Sequence, residues 1–296
     1  MSINRRKFIR NISLAALAAG AGVPYASCKS ADADILTILH TNDMHSQIDP
    51  FPKDHPKYPG SGGFARIAEK VDEIRKLRSN ILLIDAGDIF QGSPYFNFFK
   101  GELEIKLMSE MKYDASTFGN HEFDNGIHEL AKQVSKASFP FINCNYDLAE
   151  TPLKDLHKKY IILNKGDKKI GITGVGIRLY GLADPKNMKN LKYHDPVESA
   201  DKVAEQLKDE GCDIVICLSH LGYKYNYDKV SDLVMADNVK NIDLIIGGHT
   251  HTFMKQPDII KNKHDKQVIV HQAGWGGLRL GVLQLKLQRG REPELV

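Results

Sequence analysis

The chain has 296 residues, of which 42% are apolar and 26% are charged, so it is long and apolar enough to bury a large core. Its formal net charge of +3 arises in the amino-terminal segment, because beyond residue 28 there are 36 Lys and Arg residues against 37 Asp and Glu residues. This balance lacks the basic excess of proteins that bind nucleic-acid polymers. We therefore expect one large α/β domain and no nucleic-acid partner.

Residues 1–28 have the composition of an export signal. A basic stretch, Asn4-Arg5-Arg6-Lys7, is followed by an apolar run at 12–23. This run is shorter than the roughly 20 residues that cross a bilayer as a helix. The paired arginines resemble those of a Tat signal. We therefore expect a Tat-type signal peptide and an exported protein, located in the periplasm or anchored to a membrane and facing the periplasm or the cell surface.

Cys28 is the one expected link to a membrane. It follows the small residues Ala26 and Ser27 and resembles a lipoprotein attachment site, although ordinary cleavage nearby is the alternative. The other cysteines, Cys144, Cys212 and Cys217, have no paired spacing of the kind found in zinc sites or disulfide frameworks. We expect these three to be small core residues.

Short apolar runs alternate with amphipathic segments along the rest of the chain. The runs at 35–39, 81–84, 214–218 and 244–246 are typical of buried strands. Apolar residues recur every three or four positions in the segments 64–77 and 197–207, which predicts helices. The proline-rich segment 49–60 predicts an extended surface loop, and 281–287 predicts a closing strand. This alternation predicts a layered α/β fold.

Five polar motifs directly follow predicted strands. In chain order they are Thr41-Asn42-Asp43-Met44-His45, Asp85-Ala86-Gly87-Asp88, Gly119-Asn120-His121-Glu122-Phe123-Asp124, Ser219-His220 and Gly247-Gly248-His249-Thr250-His251. A single histidine after a strand usually makes an ordinary hydrogen bond. Five such motifs predict a shared site, because loops at the carboxyl ends of strands in open α/β sheets converge in one crevice.

The five motifs together resemble the signature of the calcineurin-like metallophosphoesterases: D-x-H, G-D, G-N-H-E, H and G-H-x-H. The longer strings T-N-D-M-H, G-N-H-E-F-D and G-G-H-T-H resemble the 5'-nucleotidase branch, and the similarity includes Gly62-Gly63-Phe64-Ala65-Arg66, Phe90-Gln91-Gly92-Ser93 and Gln272-Ala273-Gly274. The resemblance implies a metallophosphoesterase domain at 34–288. It also implies a four-layer α/β/β/α sandwich of two mixed β-sheets flanked by helices.

The resemblance further implies two divalent metal ions. One is expected to bind Asp43, His45, Asp88 and His251, and the other to bind Asp88, Asn120, His220 and His249, so that Asp88 bridges them. Oxygen and nitrogen ligands without cysteine suit Mn, Zn, Fe, Co or Mg and do not choose among them. Two such ions, about 3.5–4 Å apart, polarise a phosphoryl oxygen and hold hydroxide near the phosphorus.

His121 and Asp124 complete the site that the resemblance implies. His121 matches the family histidine that stabilises negative charge on the transferring group, and Asp124 would orient it and keep it protonated. Asn120 and His121 are expected to contact the substrate phosphate. The alternative interpretation makes His121 a loop donor and Asp124 the N-cap of a helix at 127–135.

An aromatic group follows Asp88 in the sequence and is a candidate base-stacking surface. Its members are Phe90, Tyr95, Phe96, Phe98 and Phe99. Plain packing is the commoner outcome for such a group. His271 is a candidate neighbour of the metal site, although a structural role is the simpler interpretation.

Full-length 5'-nucleotidases resemble this chain only through their amino-terminal half, and we expect no counterpart here of the carboxy-terminal domain that binds the nucleotide in that family. We expect hydrolysis of a small phosphorylated substrate, preferably a nucleotide, and a separate chain carrying the missing domain is one hypothesis. A 2',3'-cyclic phosphodiesterase, a nucleotide-sugar hydrolase and a thioester- or sulfate-type hydrolase of the same fold are alternatives. A non-catalytic, metal-stabilised binding protein is disfavoured, because no ligand is missing.

Overall fold

The computed structural model describes residues 34–296, and the predicted signal peptide with Cys28 lies outside the described residues. The strands are β1 Ile35–Thr41, β2 Ile81–Asp85, β3 Ala115–Ser116, β4 Phe141–Ile142, β5 Tyr146–Asp147, β6 His157–Lys158, β7 Tyr160–Lys165, β8 Lys168–Gly176, β9 Lys192–Tyr193, β10 Ile214–His220, β11 Leu244–Gly247, β12 Asp258–Lys261, β13 Gln267–His271, β14 Gly281–Lys286 and β15 Glu294–Leu295. The α-helices are α1 Phe64–Leu77, α2 Pro94–Phe99, α3 Glu102–Glu110, α4 Ile127–Val134, α5 Pro196–Asp209 and α6 Asp232–Asn238. Short 3-10 helices span His121–Phe123 and Pro185–Met188.

Two large mixed sheets organise these strands. The first has the order β15-β14-β1-β2-β3-β4-β6, in which β1, β2, β3, β4 and β6 run parallel and β14 pairs antiparallel with β1. The second has the order β12-β13-β11-β10-β8-β7, with antiparallel edge strands β12 and β7. β5 and β9 form a separate two-stranded sheet. Each large sheet therefore has a parallel centre, which brings the carboxyl ends of its strands to one edge.

Each central strand is buried on both faces, which explains its continuous apolar sequence. In β10, Ile214, Ile216 and Leu218 pack between the two large sheets, together with Ile38 and Ile84 of the first sheet. The intervening residues Val215 and Cys217 of β10 pack on the opposite face, against α5 and α6. This alternation follows from the two-residue period of a strand.

The helices cover the outer faces of the sheets. Phe64, Ile67 and Val71 of α1 pack in the outer core of the first sheet together with buried residues of α3 and α4. Helix α5 begins at Pro196, and the Asp195 side chain accepts hydrogen bonds from the first-turn N–H groups. The order of layers is therefore helices, sheet, sheet and helices, which confirms the four-layer α/β/β/α prediction.

The remaining predictions for local structure agree with the described residues. The segment 49–60 contains neither helix nor strand, and the predicted closing strand is β14. Cys144, Cys212 and Cys217 are free and buried, as expected of core residues. Within 34–296, no helix combines the length and the apolar character needed to cross a membrane.

Replacing Ile216 by Ala tests the inner core. Ile216 is fully buried between the sheets, and its truncation is expected to lower the free energy of unfolding by about 2–5 kcal/mol. Val282→Ala on β14 is the matched control, because Val282 is 45% exposed. Urea unfolding of the metal-free proteins measures both changes. An equal effect of the two substitutions would contradict the placement of Ile216.

Candidate metal centre

The candidate ligands lie at the carboxyl ends of strands in both large sheets. Asp43 and His45 follow β1, Asp88 follows β2, and Asn120 follows β3. From the second sheet, His220 ends β10, while His249 and His251 follow β11. The site therefore lies where the edges of the two packed sheets meet, as the positions of the five motifs predicted.

The carboxylates and imidazoles form compact groups whose potential ligand atoms lie within 4.8 Å of one another. The groups are Asp43-His45-His251, Asp88-His220-His249 and His45-Asp88-His121. The first two each contain three of the four residues in one of the ligand sets expected from the resemblance, without Asp88 in the first group and without Asn120 in the second. Asp88 belongs to two of the groups, with its Oδ2 3.0 Å from His220 Nε2 and 3.9 Å from His45 Nε2. It thus occupies the position of a bridging carboxylate.

Backbone carbonyl groups set the tautomers of two histidines. His45 Nδ1 is 3.1 Å from the carbonyl oxygen of Gln91, and His220 Nδ1 is 2.7 Å from that of Ala86. A carbonyl oxygen only accepts hydrogen bonds, so Nδ1 carries the proton in both rings. The Nε2 atoms of His45 and His220 therefore face the ligand group, where each can bind a cation in its deprotonated form.

One buried polar atom points specifically to a bound cation. Asn120 Oδ1 is buried without a hydrogen-bond partner among the described residues, whereas His220 Nε2 lies 3.0 Å from Asp88 Oδ2. Buried polar atoms are nearly always satisfied, so an unpaired acceptor beside Asp88 needs another partner. Carboxylate oxygens, an amide oxygen and imidazole nitrogens together fit divalent ions. The residues present therefore fit a two-metal site.

The buried carboxylates are held by hydrogen bonds from neighbouring motifs. Asp43 accepts the backbone N–H of His249 at 3.0 Å to each oxygen and the side-chain amide of Asn42 at 2.6 Å. Asp88 Oδ1 accepts the backbone N–H of His121 at 2.8 Å. Each carboxylate is thereby oriented by a motif that follows a different strand from its own.

Several candidate ligands have left-handed backbone conformations, which are uncommon outside glycine. Their φ angles are 50° for Asp43, 49° for His45, 54° for Asp88, 72° for His249 and 52° for His251. Such residues cost about 1–3 kcal/mol each and concentrate at functional sites. This concentration of backbone strain is independent support for the site, and the sequence contains no signal for it.

His121 and Asp124 form a hydrogen-bonded pair beside the metal ligands. His121 Nδ1 lies 2.7 Å from Asp124 Oδ2. Partial burial lowers the pKa of His121, but the hydrogen bond that its ring donates to Asp124 and the nearby charge of Asp88 outweigh burial and raise that pKa above its ordinary value. The pair can therefore present a protonated imidazole to an anion. The N-cap interpretation of Asp124 is wrong, because α4 begins after Gly126 and has no side-chain cap.

Glu122 has a role that the motif string alone did not reveal. Its buried carboxylate accepts hydrogen bonds from four backbone N–H groups, those of Asp88, Ile89, Phe90 and Gly119. These bonds join the loop after β2 to the loop after β3. The sequence placed Glu122 in the motif, but only the folded backbone brings the four donors to it.

The predicted base-stacking group does not line the site as a unit. Phe90 and Phe96 are buried and stack on each other in the outer core, so packing explains these two. A different aromatic ring borders the ligands: Trp275 stacks on His251 with ring centroids 5.7 Å apart. Tyr58 contacts Trp275 edge-on at 6.2 Å. His271 pairs with buried His40 at 2.7 Å, in agreement with a structural role.

The comparisons with known proteins agree with this geometry. The family model for calcineurin-like phosphoesterases matches residues 36–253. A snake venom 5'-nucleotidase from Gloydius brevicauda is 35% identical over 274 residues, which cover 84% of this chain and 45% of the relative. Human 5'-nucleotidase is 34% identical over 279 residues, covering 86% and 47%. The chain thus spans about half the length of these curated relatives.

A solved structure extends the similarity to three dimensions. The 5'-nucleotidase precursor from Thermus thermophilus superposes with a TM-score of 0.79 and 31% sequence identity, covering 88% of this chain and 53% of that one. The chain belongs to the calcineurin-like phosphoesterase family, whose members use two divalent metal ions, and its groups of Asp and His residues fit such ions.

Proposed function

We propose that this chain hydrolyses nucleotides, releasing phosphate as a 5'-nucleotidase does. The observation that carries the proposal is the position of Asp88, which belongs to two ligand groups and is oriented by the His121 backbone. The curated relatives named 5'-nucleotidase support the substrate class. The organic part of the substrate would lie toward Trp275, whose half-buried ring borders His251.

We assign the ligands in two sets. Asp43, His45, Asp88 and His251 form one set, and Asp88, Asn120, His220 and His249 form the other, with support from the two compact groups and the unpaired Asn120 Oδ1. When bound, the two ions polarise the phosphoryl oxygens and activate a water molecule. The sets draw on both sheets, so the packing of one sheet on the other is what holds the ligands together.

His121 and Asp124 act on the substrate side of this site. We assign phosphate contacts to Asn120 and His121. The protonated imidazole of His121 donates a hydrogen bond to a phosphoryl oxygen, where negative charge accumulates as the ester bond breaks. Asp124 keeps the proton on Nδ1 through their 2.7 Å contact, so that Nε2 faces the substrate.

We propose that the protein is exported and acts outside the cytoplasm. The support is the composition of residues 1–28 and the similarity to a relative named as a snake venom 5'-nucleotidase. Export by a Tat route suits an enzyme that takes up its metals before it crosses the membrane. The lipid anchor at Cys28 and a separate chain that completes the substrate site stay predictions from the sequence.

Asp88→Asn tests the bridging assignment. The substitution removes the charge shared by both ligand groups, so Mn²⁺ binding is expected to weaken at both sites by more than about 100-fold, since even changes outside the ligand shell cost about 10–100-fold. Calorimetric titration of the metal-free protein measures both affinities. Asp72→Asn, on the exposed face of α1, is the control. Loss of a single site would show that Asp88 does not bridge.

His121→Ala tests the proposed contact with phosphate. Because His121 stabilises charge in the transition state, kcat for an aryl phosphate is expected to fall by about 100-fold or more, with two Mn²⁺ ions still bound. Steady-state kinetics and metal content measure the two quantities. His128→Ala, an exposed histidine on α4, should leave both unchanged. A His121→Ala enzyme with unaltered kcat would remove His121 from the mechanism.

A substrate panel tests the nucleotide assignment. The enzyme is expected to prefer nucleoside 5'-monophosphates over glycerol phosphate by about 10-fold or more in kcat/KM, because stacking of a base is worth about 1–3 kcal/mol. Trp275→Leu should reduce this preference and Trp275→Phe should retain it, since only Phe keeps an aromatic face. Equal rates on both substrates would rule out nucleotide selectivity, whereas no turnover of any ester would defeat the proposed function itself.

A further inference from the structure

A buried polar group lies behind the histidines of the second sheet. It consists of Gln272, which directly follows β13, Asp232, which begins α6, and Ser219 in β10, and all three side chains have no exposed surface. None of them is a predicted metal ligand, and none is part of the His121–Asp124 pair. A buried carboxylate and a buried amide are retained at low cost only when they are fully hydrogen-bonded. Their partners therefore indicate what they hold.

Both polar atoms of the Gln272 side chain form hydrogen bonds with the loop after β11. Its Nε2 donates to the carbonyl oxygen of Gly248 at 2.9 Å, and its Oε1 accepts the backbone N–H of Thr252 at 3.2 Å and the hydroxyl of Thr250 at 3.3 Å. Gly248, Thr250 and Thr252 alternate with His249 and His251 along this loop. One side-chain amide therefore forms hydrogen bonds with the residues before, between and after the candidate ligands His249 and His251.

Asp232 connects Gln272 to the third histidine. Its Oδ2 accepts the second N–H of Gln272 Nε2 at 2.8 Å, and its Oδ1 accepts the hydroxyl of Ser219 at 2.5 Å. Ser219 directly precedes His220. The fit is tight, because a Cβ atom at Gly247 would collide with Asp232 Oδ2. The two side chains thus link the backbone beside His220 to the loop that carries His249 and His251.

We propose that Gln272 is a positioning residue of the metal centre and that Asp232 is its partner. Carbonyl groups orient the rings of His45 and His220 directly. His249 and His251 instead depend on a loop with φ angles of 72° and 52°, which costs conformational energy to maintain. The Gln272 amide holds this strained loop in place and keeps it in register with His220 through Asp232. The pair therefore determines how well the ligands of both metals are pre-arranged.

Gln272→Glu is the direct test, because it preserves the shape of the side chain and replaces its N–H donor group by an oxygen that accepts hydrogen bonds. An oxygen then faces Asp232 Oδ2 and the Gly248 carbonyl where N–H donors stood. Mn²⁺ binding to the metal-free protein is expected to weaken by about 10–100-fold, measured by calorimetric titration on protein that has a wild-type circular dichroism spectrum. This readout needs no substrate and does not depend on the proposed nucleotidase activity.

The double variant Gln272→Glu with Asp232→Asn restores a donor and acceptor pair with reversed direction. It should bind Mn²⁺ more tightly than Gln272→Glu alone, because the amide of residue 232 then donates to residue 272. Asn262→Asp is the matched control. Asn262 is also a buried amide, but it donates to the carbonyl oxygen of Val239 and lies in the turn between β12 and β13.

Any one of three results would overturn the proposal. The Gln272→Glu protein could bind Mn²⁺ within about twofold of the wild-type affinity, or Asn262→Asp could weaken Mn²⁺ binding as much as Gln272→Glu does. The third is a double variant that binds Mn²⁺ no more tightly than Gln272→Glu alone. If Gln272→Glu fails to fold, Ser219→Ala replaces it, since it removes the hydroxyl bond to Asp232 together with only one long 3.3 Å contact from the Leu221 N–H group. A folded Ser219→Ala protein with weaker Mn²⁺ binding supports the proposal, and one with wild-type affinity overturns it.

Discussion

Asp43 and Asp88 are buried carboxylates that lie among the imidazoles of His45, His220 and His251, and the surrounding chain is arranged to keep them there. Removing such groups from water is costly unless they are paired or bind a cation. Backbone N–H groups satisfy only part of each carboxylate. The remaining demand for positive charge is what makes this point of the fold a metal centre, and both packed sheets have to contribute to it.

Each sheet supplies one buried side chain that ties its own loops together. In the first sheet, the Glu122 carboxylate accepts hydrogen bonds from backbone N–H groups of the loops after β2 and β3, which fixes Asp88 and Asn120 relative to each other. In the second, Gln272 with Asp232 joins the loops after β10 and β11. Residues that never touch the substrate therefore hold strained ligand loops in position, so that little reorganisation is needed when a metal binds.

The site separates hydrolytic chemistry from substrate choice. In the function proposed above, the metal ligands and the His121–Asp124 pair act on the phosphate group alone. Selectivity then depends on the surface beside His251, where Trp275 and Tyr58 present aromatic rings. In this proposal, the metal ligands act in the same way whatever the organic group of the ester. This division also makes Trp275 the position in this chain at which a preference for a flat base would first be detected.

The sequence by itself determined the buried strands, the five motifs and the family, because apolar periodicity and short ligand strings are local properties of the chain. It did not determine the roles of Glu122, Gln272 or Trp275, the burial of Phe90 and Phe96, or the left-handed backbone at the ligands. These depend on contacts between distant segments, such as His45 and His251, which are 206 positions apart. Only the packing of two sheets brings such partners together, and no local pattern records that contact.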